Sequence, residues 1–425
     1  MFRVISQIFQ KNNKDLRKRI YFTLACLGIF CLGTTVTIPW AKGVFDELGF
    51  LEIFNLMSGG GLKNLSIFAL GVSPYITAEI ITQILQMDIL PYFKELKEQG
   101  YTGRQKINKI TRYLGIIFAF VQAYAIIIYY TRSSGVSMGG AAMLKTATVM
   151  TAGTAFLLWL GDQITQKGIG NGLSLMIMAG IVQSMPSIFK TAFNYLVTGG
   201  TYTVGLGSVY FGVFVLLYLL IIIGIIWVTL GERRIPIQYS NRTSSAYGAQ
   251  QSFLPIKINS AGVMPVIFAS ILTTVPATVV QLTGKAKAIN FVKKYIETTT
   301  PTGFLLYILL IFFFGYFYTF LSMNPDEMSK DLNERGGYIP GVRPGQDTSK
   351  HISNVLGKLT FVGSLFLVVL SALPIIATKV FKLPNSVTIG GTGILIVVGV
   401  AVETYKQIES SLISRSYSER RKRLR

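Results

Sequence analysis

Asn55-Leu56-Met57-Ser58-Gly59-Gly60-Gly61-Leu62-Lys63-Asn64-Leu65-Ser66-Ile67-Phe68-Ala69-Leu70-Gly71-Val72-Ser73-Pro74-Tyr75-Ile76 is mostly apolar, yet it cannot run as one lipid-facing helix. Three glycines in a row, the Lys63-Asn64 pair, and Gly71 with Pro74 interrupt it. Backbone breaks at membrane depth are tolerated only where protein or a water-filled cavity surrounds them. The stretch reads as a short half-helix over 56–70 packed inside a membrane protein, followed by a span starting at 73. A surface loop outside the membrane is the alternative.

Outward from this stretch the chain keeps the same character. Only 14% of its 425 residues are charged and its mean hydropathy is +0.50. A soluble domain carries about 25% charge, and a bilayer core needs roughly 20 apolar residues per helix. Spans are expected at 20–39, 73–90, 113–131, 143–163, 171–190, 207–230, 260–282, 303–323, 355–378 and 386–405. The fold class is therefore an all-α membrane protein with ten transmembrane helices. Ten divides into two sets of five, 1–197 and 198–425. An odd number per set makes the halves inverted relative to each other.

The net charge of +21 suggests nucleic acid in a soluble protein, but topology explains it better. With the N-terminus inside, the cytoplasmic segments are 1–19, 91–112, 164–170, 231–259, 324–354 and 406–425. They carry 6, 6, 1, 4, 4 and 7 Lys and Arg, which is 28 of the 40, against 11 outside. That is the positive-inside bias, and it puts both termini in the cytoplasm without calling for specific DNA. The basic start of the chain is read as the flank of a retained first helix rather than a signal peptide. The basic tail Arg420, Arg421, Lys422, Arg423 and Arg425 is a solvated, headgroup-facing or ribosome-facing segment.

Catalytic machinery is missing from the pattern. Cys26 and Cys31 lie five apart on one span and point in different directions, so neither a disulfide nor a Cys/His metal site is expected. The single histidine, His351, sits in a loop. Gly172-Leu173-Ser174-Leu175 lacks the glycine of a nucleophile elbow. Gly168-Ile169-Gly170-Asn171-Gly172 lacks the strand before it and the lysine after it that a phosphate loop needs. No cofactor is called for. Two long cytoplasmic loops, 231–259 and 324–354, are sites where function concentrates. In the second, Ile339-Pro340-Gly341-Val342-Arg343-Pro344-Gly345 reads as a stiff tip presenting one forked guanidinium to a carboxylate or phosphate. The residues alone admit a channel, a secondary transporter using the intramembrane carboxylate of Glu79, or an embedded scaffold.

Six segments, in order, carry a resemblance. They are Asn55–Gly60, Ser66–Gly71, Pro74-Tyr75-Ile76, Gly168–Gly172, Ala261-Gly262-Val263-Met264-Pro265-Val266-Ile267-Phe268-Ala269, and Pro340–Gly345. Together they resemble the SecY/Sec61 alpha family, the central subunits of Sec protein-conducting channels, over nearly the whole chain. The resemblance implies an hourglass pore between the halves, closed at its waist by aliphatic side chains at Val72, Ile76, Leu173, Ile177, Ile267 and Ile396. Such a ring gates by dewetting. It implies a plug over about 57–70, with Met57, Ser58, Gly59, Gly60, Gly61, Leu62, Asn64 and Ile67. It implies a lateral gate between the second and seventh spans, with Thr77, Gln122 and Asn259 as its polar residues. The same likeness makes the two long loops docking sites for the SecA ATPase and the ribosome through Arg233, Arg234, Arg242 and Arg343. It also brings SecE as obligate clamp, SecG as accessory, and signal peptides and unfolded preproteins as cargo, in a bacterial cytoplasmic membrane. Two departures stand out. The tip 241–247 is less basic than the family's, and Glu79 stands where the family usually has a small or polar residue.

Overall fold

The computed structural model describes residues 14–40, 51–86, 90–134, 138–198, 203–239, 252–283, 291–292, 294–297, 300–381 and 383–423. Among the described residues, ten helices fall on the ten expected spans. They are α1 (Lys14–Thr35), α3 (Ser73–Leu85), α5 (Gly100–Ser134), α6 (Gly140–Lys167), α7 (Gly172–Phe193), α8 (Val204–Leu230), α9 (Met264–Thr283), α10 (Pro301–Ser322), α12 (Gln346–Val380) and α13 (Asn385–Arg423). Shorter helices are α2 (Glu52–Met57), α4 (Pro91–Glu98) and α11 (Pro325–Glu334). Among the described residues, six helices meet both length and hydropathy for a membrane crossing on their own. The others owe their place to packing: α3 has only 13 residues, many of them buried.

The starts of these helices are written locally. Asn171 caps α7, its side chain accepting from the amides of Leu173 and Ser174. Thr300 caps α10 and Pro301 opens it, the position where a missing N–H costs nothing. Proline interrupts α7 at Pro186, α9 at Pro276 and α12 at Pro374. Helix neighbours in a bundle re-satisfy the freed carbonyls.

The two halves repeat one neighbour pattern. In the first, α3 packs on α5, α5 on α6, α6 on α7, and α1 on both α6 and α7. In the second, α9 packs on α10, α10 on α12, α12 on α13, and α8 on both α12 and α13. The halves meet along two seams, α7 with α13 on one side, and α3 and α5 with α9 on the other. Between the seams, α2 touches α7 and α13.

Two expectations are corrected. The half-helix expected at 56–70 lies earlier, at Glu52–Met57, and 58–72 is a run of turns. Gly59 and Gly60 take φ of +67° and +82°, which a helix does not admit. Several helices overrun their apolar spans: α5 starts at Gly100, α12 at Gln346, and α13 runs on to Arg423 through the basic tail. Helicity needs no lipid where no glycine or proline stops it. The described parts of the two long loops carry strands. Strand β1 (Glu232–Tyr239) pairs antiparallel with β2 (Ser252–Lys257), from Glu232↔Lys257 to Ile237↔Ser252. It also pairs with β3 (Gly337–Tyr338) of the other loop. The sheet order is β2-β1-β3. Ile235, Ile237, Ile256, Leu332, Ile339, Ile352 and Leu356 form a separate small core beneath it. Both loops thus build one cap on one side of the membrane helices.

Candidate functional site

Three helices bring aliphatic residues to the middle of the molecule. Before α9, the Asn259 amide donates to the carbonyl of Gly262 at 2.8 Å, closing the turn that starts the helix. Ile267 follows in the first turn of α9. Ile177 lies on α7 and Ile396 on α13. All three are buried in one apolar cluster that also holds Val72 and Ile76 at the start of α3.

Two cavities meet at these residues. The first, of about 240 Å³, is lined by Ile177, Ile267 and Ile396 and by polar groups including Ser174, Lys257, Asn259 and Lys406. Lys257 ends β2, so this vestibule opens on the cap side. The second, of only about 20 Å³, lies against α2 and is lined by Leu56, Met57, Ile181, Val266, Ile267 and Ile396 with Ser270 and Gly393. That is room for about one water, in apolar surroundings that would leave it dry. Ile267 and Ile396 line both cavities and so form the partition between them.

Of the six residues expected in the ring, Val72, Ile76 and Leu173 line neither cavity. The Leu173 side chain lies against Gly161 of α6. Ile181, one turn beyond Ile177 along α7, lines the second cavity and packs on Gly393 of α13. The sequence signal was ambiguous: Leu173 and Ile181 stand equally far from Ile177, and only the orientation of α7 chooses between them.

The plug segment is seated from several directions. Thr37 bridges Ser66, with Ile38 N–H donating to the Leu65 carbonyl at 3.1 Å and Ile67 N–H to the Val36 carbonyl at 3.0 Å. The Asn55 side-chain oxygen accepts from the Lys63 amide at 2.9 Å. Leu65, held in this bridge, has φ of +45°, a strained conformation for a branched residue. Carbonyls of Met57 and Ile67 rest on Gly180 of α7 and Gly153 of α6, where a methyl group would overlap them. Met57, Ser58, Gly61 and Leu62 are buried, Gly59, Gly60 and Ile67 half-buried, and Lys63 and Asn64 exposed. Beside Gly59, Gln183 of α7 and Thr34 of α1 share a hydrogen bond of 3.0 Å.

Thr77, Gln122 and Asn259, the polar residues expected at a lateral gate, are not hydrogen-bonded to one another among the described residues. Thr77 donates back to the Ser73 carbonyl at 3.3 Å, Asn259 bonds within its own turn, and Gln122 is half-buried on α5. The seam there is closed by apolar packing of α9 on α3 and α5. On the cap, Arg343 is exposed at a tip fixed from behind: Thr348 donates to the Arg343 carbonyl and Ser329 to the Gly345 carbonyl, both at 2.8 Å. Arg233 is exposed on β1, while Arg234 is paired with Glu232 at 2.7 Å. Arg242 and the tip 241–247 lie outside the described residues.

This architecture has known relatives. A family model described as SecY matches residues 66–405. The chain is 43% identical to the protein translocase subunit SecY of Staphylococcus epidermidis, over 98% of this chain and 99% of that one. It is 41% identical to the same subunit of Bacillus subtilis, again over 98% and 99%. Among solved structures, "The structure of a protein conducting channel" superposes with a TM-score of 0.68, covering 94% of this chain and 93% of that chain at 18% identity. "Sec61 in the Canine ribosome-channel complex from the endoplasmic reticulum" superposes at 0.64, with the same identity and coverage. Likeness at that identity speaks to the fold, and the near-complete match to the two bacterial subunits speaks to descent. With the family model matching residues 66–405 and relatives matched along nearly their whole length, the chain belongs to the SecY family of protein-conducting channels.

Proposed function

We propose that the passage for unfolded polypeptides runs between the halves 1–197 and 198–425, through a ring of Val72, Ile76, Ile177, Ile181, Ile267 and Ile396. The observation that carries this reading is the partition by Ile267 and Ile396, with a polar vestibule on one face and a dry cavity under α2 on the other. Aliphatic side chains give water and ions no partner, and they grip no particular peptide. The plug is α2 with the turns through residue 70, and it leaves its seat when a chain passes. The α7–α13 seam is the hinge. The α3/α5–α9 seam is the lateral gate, flanked by Thr77, Gln122 and Asn259, through which apolar segments enter lipid.

The cap side is cytoplasmic in this reading, with both termini on that side, because the segments there hold most of the Lys and Arg. The cap then faces the source of cargo. Arg343 and Arg233 stand free to dock the SecA motor or a ribosome, as a related channel docks in the canine ribosome-channel complex. SecE clamps the halves across the hinge and SecG attaches beside them. The channel hydrolyses nothing itself, and its motor supplies the energy.

The test is a disulfide trap. Cys26→Ser and Cys31→Ser remove the native thiols, Ile267→Cys supplies one, and a secretory precursor carrying one cysteine is stalled midway. An adduct that requires the motor and ATP is expected. A folded, motor-bound complex giving no adduct across several precursor positions would overturn the assignment of the ring.

A further inference from the structure

The plug segment is held in two different ways along its length. Residues 51–64 are bonded to themselves. The Gly60 amide donates to the Asn55 carbonyl at 2.8 Å, the Lys63 amide to the Asn55 side-chain oxygen at 2.9 Å, and the Leu62 amide to the Ser58 hydroxyl at 3.3 Å. Among the described residues, this part has one hydrogen bond to a long helix, a weak one from the Ser73 hydroxyl to the Met57 sulfur at 3.8 Å. Its other contacts are apolar. Ile53, Leu56 and Met57 face Ile181, Ile267 and Ile396 across the small dry cavity, and Phe54 and Leu62 pack in a cluster with Ala123 and Met150.

Residues 65–72 are tied instead to α1 and α6 of the first half. Thr37, just past the end of α1, faces Ser66 across the bridge, with the Ile38–Leu65 and Ile67–Val36 backbone bonds on either side. The Thr154 hydroxyl of α6 donates to the Gly71 carbonyl at 3.3 Å. The Phe68 ring lies against Gly33 of α1 and stacks with Phe30 of α1 and Phe156 of α6, at 6.5 and 5.9 Å. Hydrogen bonds fix direction and distance, whereas apolar contacts are non-directional and let a segment shift. Among the described residues, two backbone bonds join the parts, Leu65 N–H to the Leu62 carbonyl at 3.1 Å and Ser66 N–H to the Gly61 carbonyl at 2.9 Å. At the same place Leu65 has its φ of +45°, and the Ser66 hydroxyl, covered by Gly61, is buried without a partner. A buried hydroxyl left unpaired is a cost that water removes once residues 51–64 lift away.

We propose that the plug opens as a flap: residues 51–64 swing off α7 and α13, while residues 65–72 stay on α1 and α6, held by the bridge to 36–38. The joint is Asn64–Leu65. The bridge acts as a tether, keeping the flap beside its seat so that it closes again when the cargo has passed. The flap rests on the plug reading above and makes only the first part of that plug mobile.

The experiment uses the channel complex with its motor in proteoliposomes, in a chain carrying Cys26→Ser and Cys31→Ser. One variant adds Thr37→Cys with Ser66→Cys. The bridge bonds flank this pair rather than join it, so its Cα atoms stand about 4.5 Å apart, within reach of a disulfide. A second variant adds Leu56→Cys with Ile181→Cys, joined by a short bis-maleimide. Gel shifts after alkylation show whether each link forms in the resting channel, and each variant is compared with itself unlinked. Translocation is expected to continue with 37 and 66 joined and to stop with 56 and 181 joined. With a precursor stalled in the channel, Ser58→Cys, buried at rest, is expected to become open to a maleimide, while Ala69→Cys, equally buried, stays protected. A block by the 37–66 disulfide, or labelling at position 69, overturns the flap while the plug stands. A 37–66 pair that does not oxidise at rest removes the tether and the flap with it. No link between 56 and 181, or translocation in spite of it, overturns the plug reading as well.

Discussion

Ile267 in the first turn of α9 and Ile396 in α13 face two cavities at once, the polar vestibule of about 240 Å³ and the dry space of about 20 Å³ under the plug. They alone are common to both, so the proposed ring would concentrate its barrier to water on two side chains from the second half. The double substitution Ile267→Asn with Ile396→Asn gives water hydrogen-bonding partners there. Wetting is expected to become easier by about 1–3 kcal/mol, raising the resting ion leak roughly ten- to a hundredfold. Planar-bilayer conductance without substrate measures it. Leu173→Asn serves as the contrast, since Leu173 lies against Gly161. An equal leak from Leu173→Asn would return that residue to the ring.

The plug seat makes a second prediction. Gly180 of α7 lies under the Met57 carbonyl with no room for a methyl group. Overpacking a tight site costs about 1–3 kcal/mol, and here the strain falls on the seated plug alone. Gly180→Ala is therefore expected to raise the leak and to let precursors with weakened signal peptides through, while thermal stability changes little. A fall in melting temperature with unchanged leak would mean that the glycine serves helix packing rather than the plug.

Much of this was legible in the sequence, for physical reasons that differ by element. The ten spans could be read because hydrocarbon imposes length and composition on a helix directly. The break near Gly59–Gly61 was legible, but its register was not. Glycines mark where helix stops, and the helical residues lie just before them, at Glu52–Met57. The cap escaped notice because its strands are short and polar on one side, with Pro236 and Pro255 inside them. Those prolines stand where strands lack a neighbour on one flank, a place that only the assembled sheet reveals. The place of Ile181 depends on how α7 is rotated. Hydropathy carries almost no rotational signal in a helix that is apolar all round.

Arg343 and Arg234 were equal candidates for docking by sequence, and the structure separates them. The Arg234 guanidinium already binds Glu232 at 2.7 Å, whereas Arg343 is exposed on a tip whose backbone is pinned by Thr348 and Ser329. A preorganised free guanidinium gives more binding energy than one that must leave a partner. Arg343→Ala is expected to weaken motor binding by about tenfold, and Arg234→Ala by no more than about twofold. Flotation of motor protein with channel proteoliposomes measures both, and the Arg343 effect should shrink at high salt. Equal losses would place the contact on the sheet rather than on the tip.

Glu52, in the first turn of α2, ties the plug to pH. Burial pushes its carboxyl above the ordinary 4.5, and Lys63 partly pulls it back. A displaced plug exposes the group and restores its usual value, so the seated plug holds the proton more tightly. Linkage then fixes the sign: acid favours seating, and seating weakens as pH rises through the raised pKa, above 4.5. The resting leak should therefore climb with pH over that window. Glu52→Gln should hold it at the low-pH level throughout, and Lys63→Met should move the rise to higher pH. A leak profile in Glu52→Gln that matches the unsubstituted channel would show that the carboxyl keeps the same surroundings in both plug positions, and that burial of α2 is not what opening relieves.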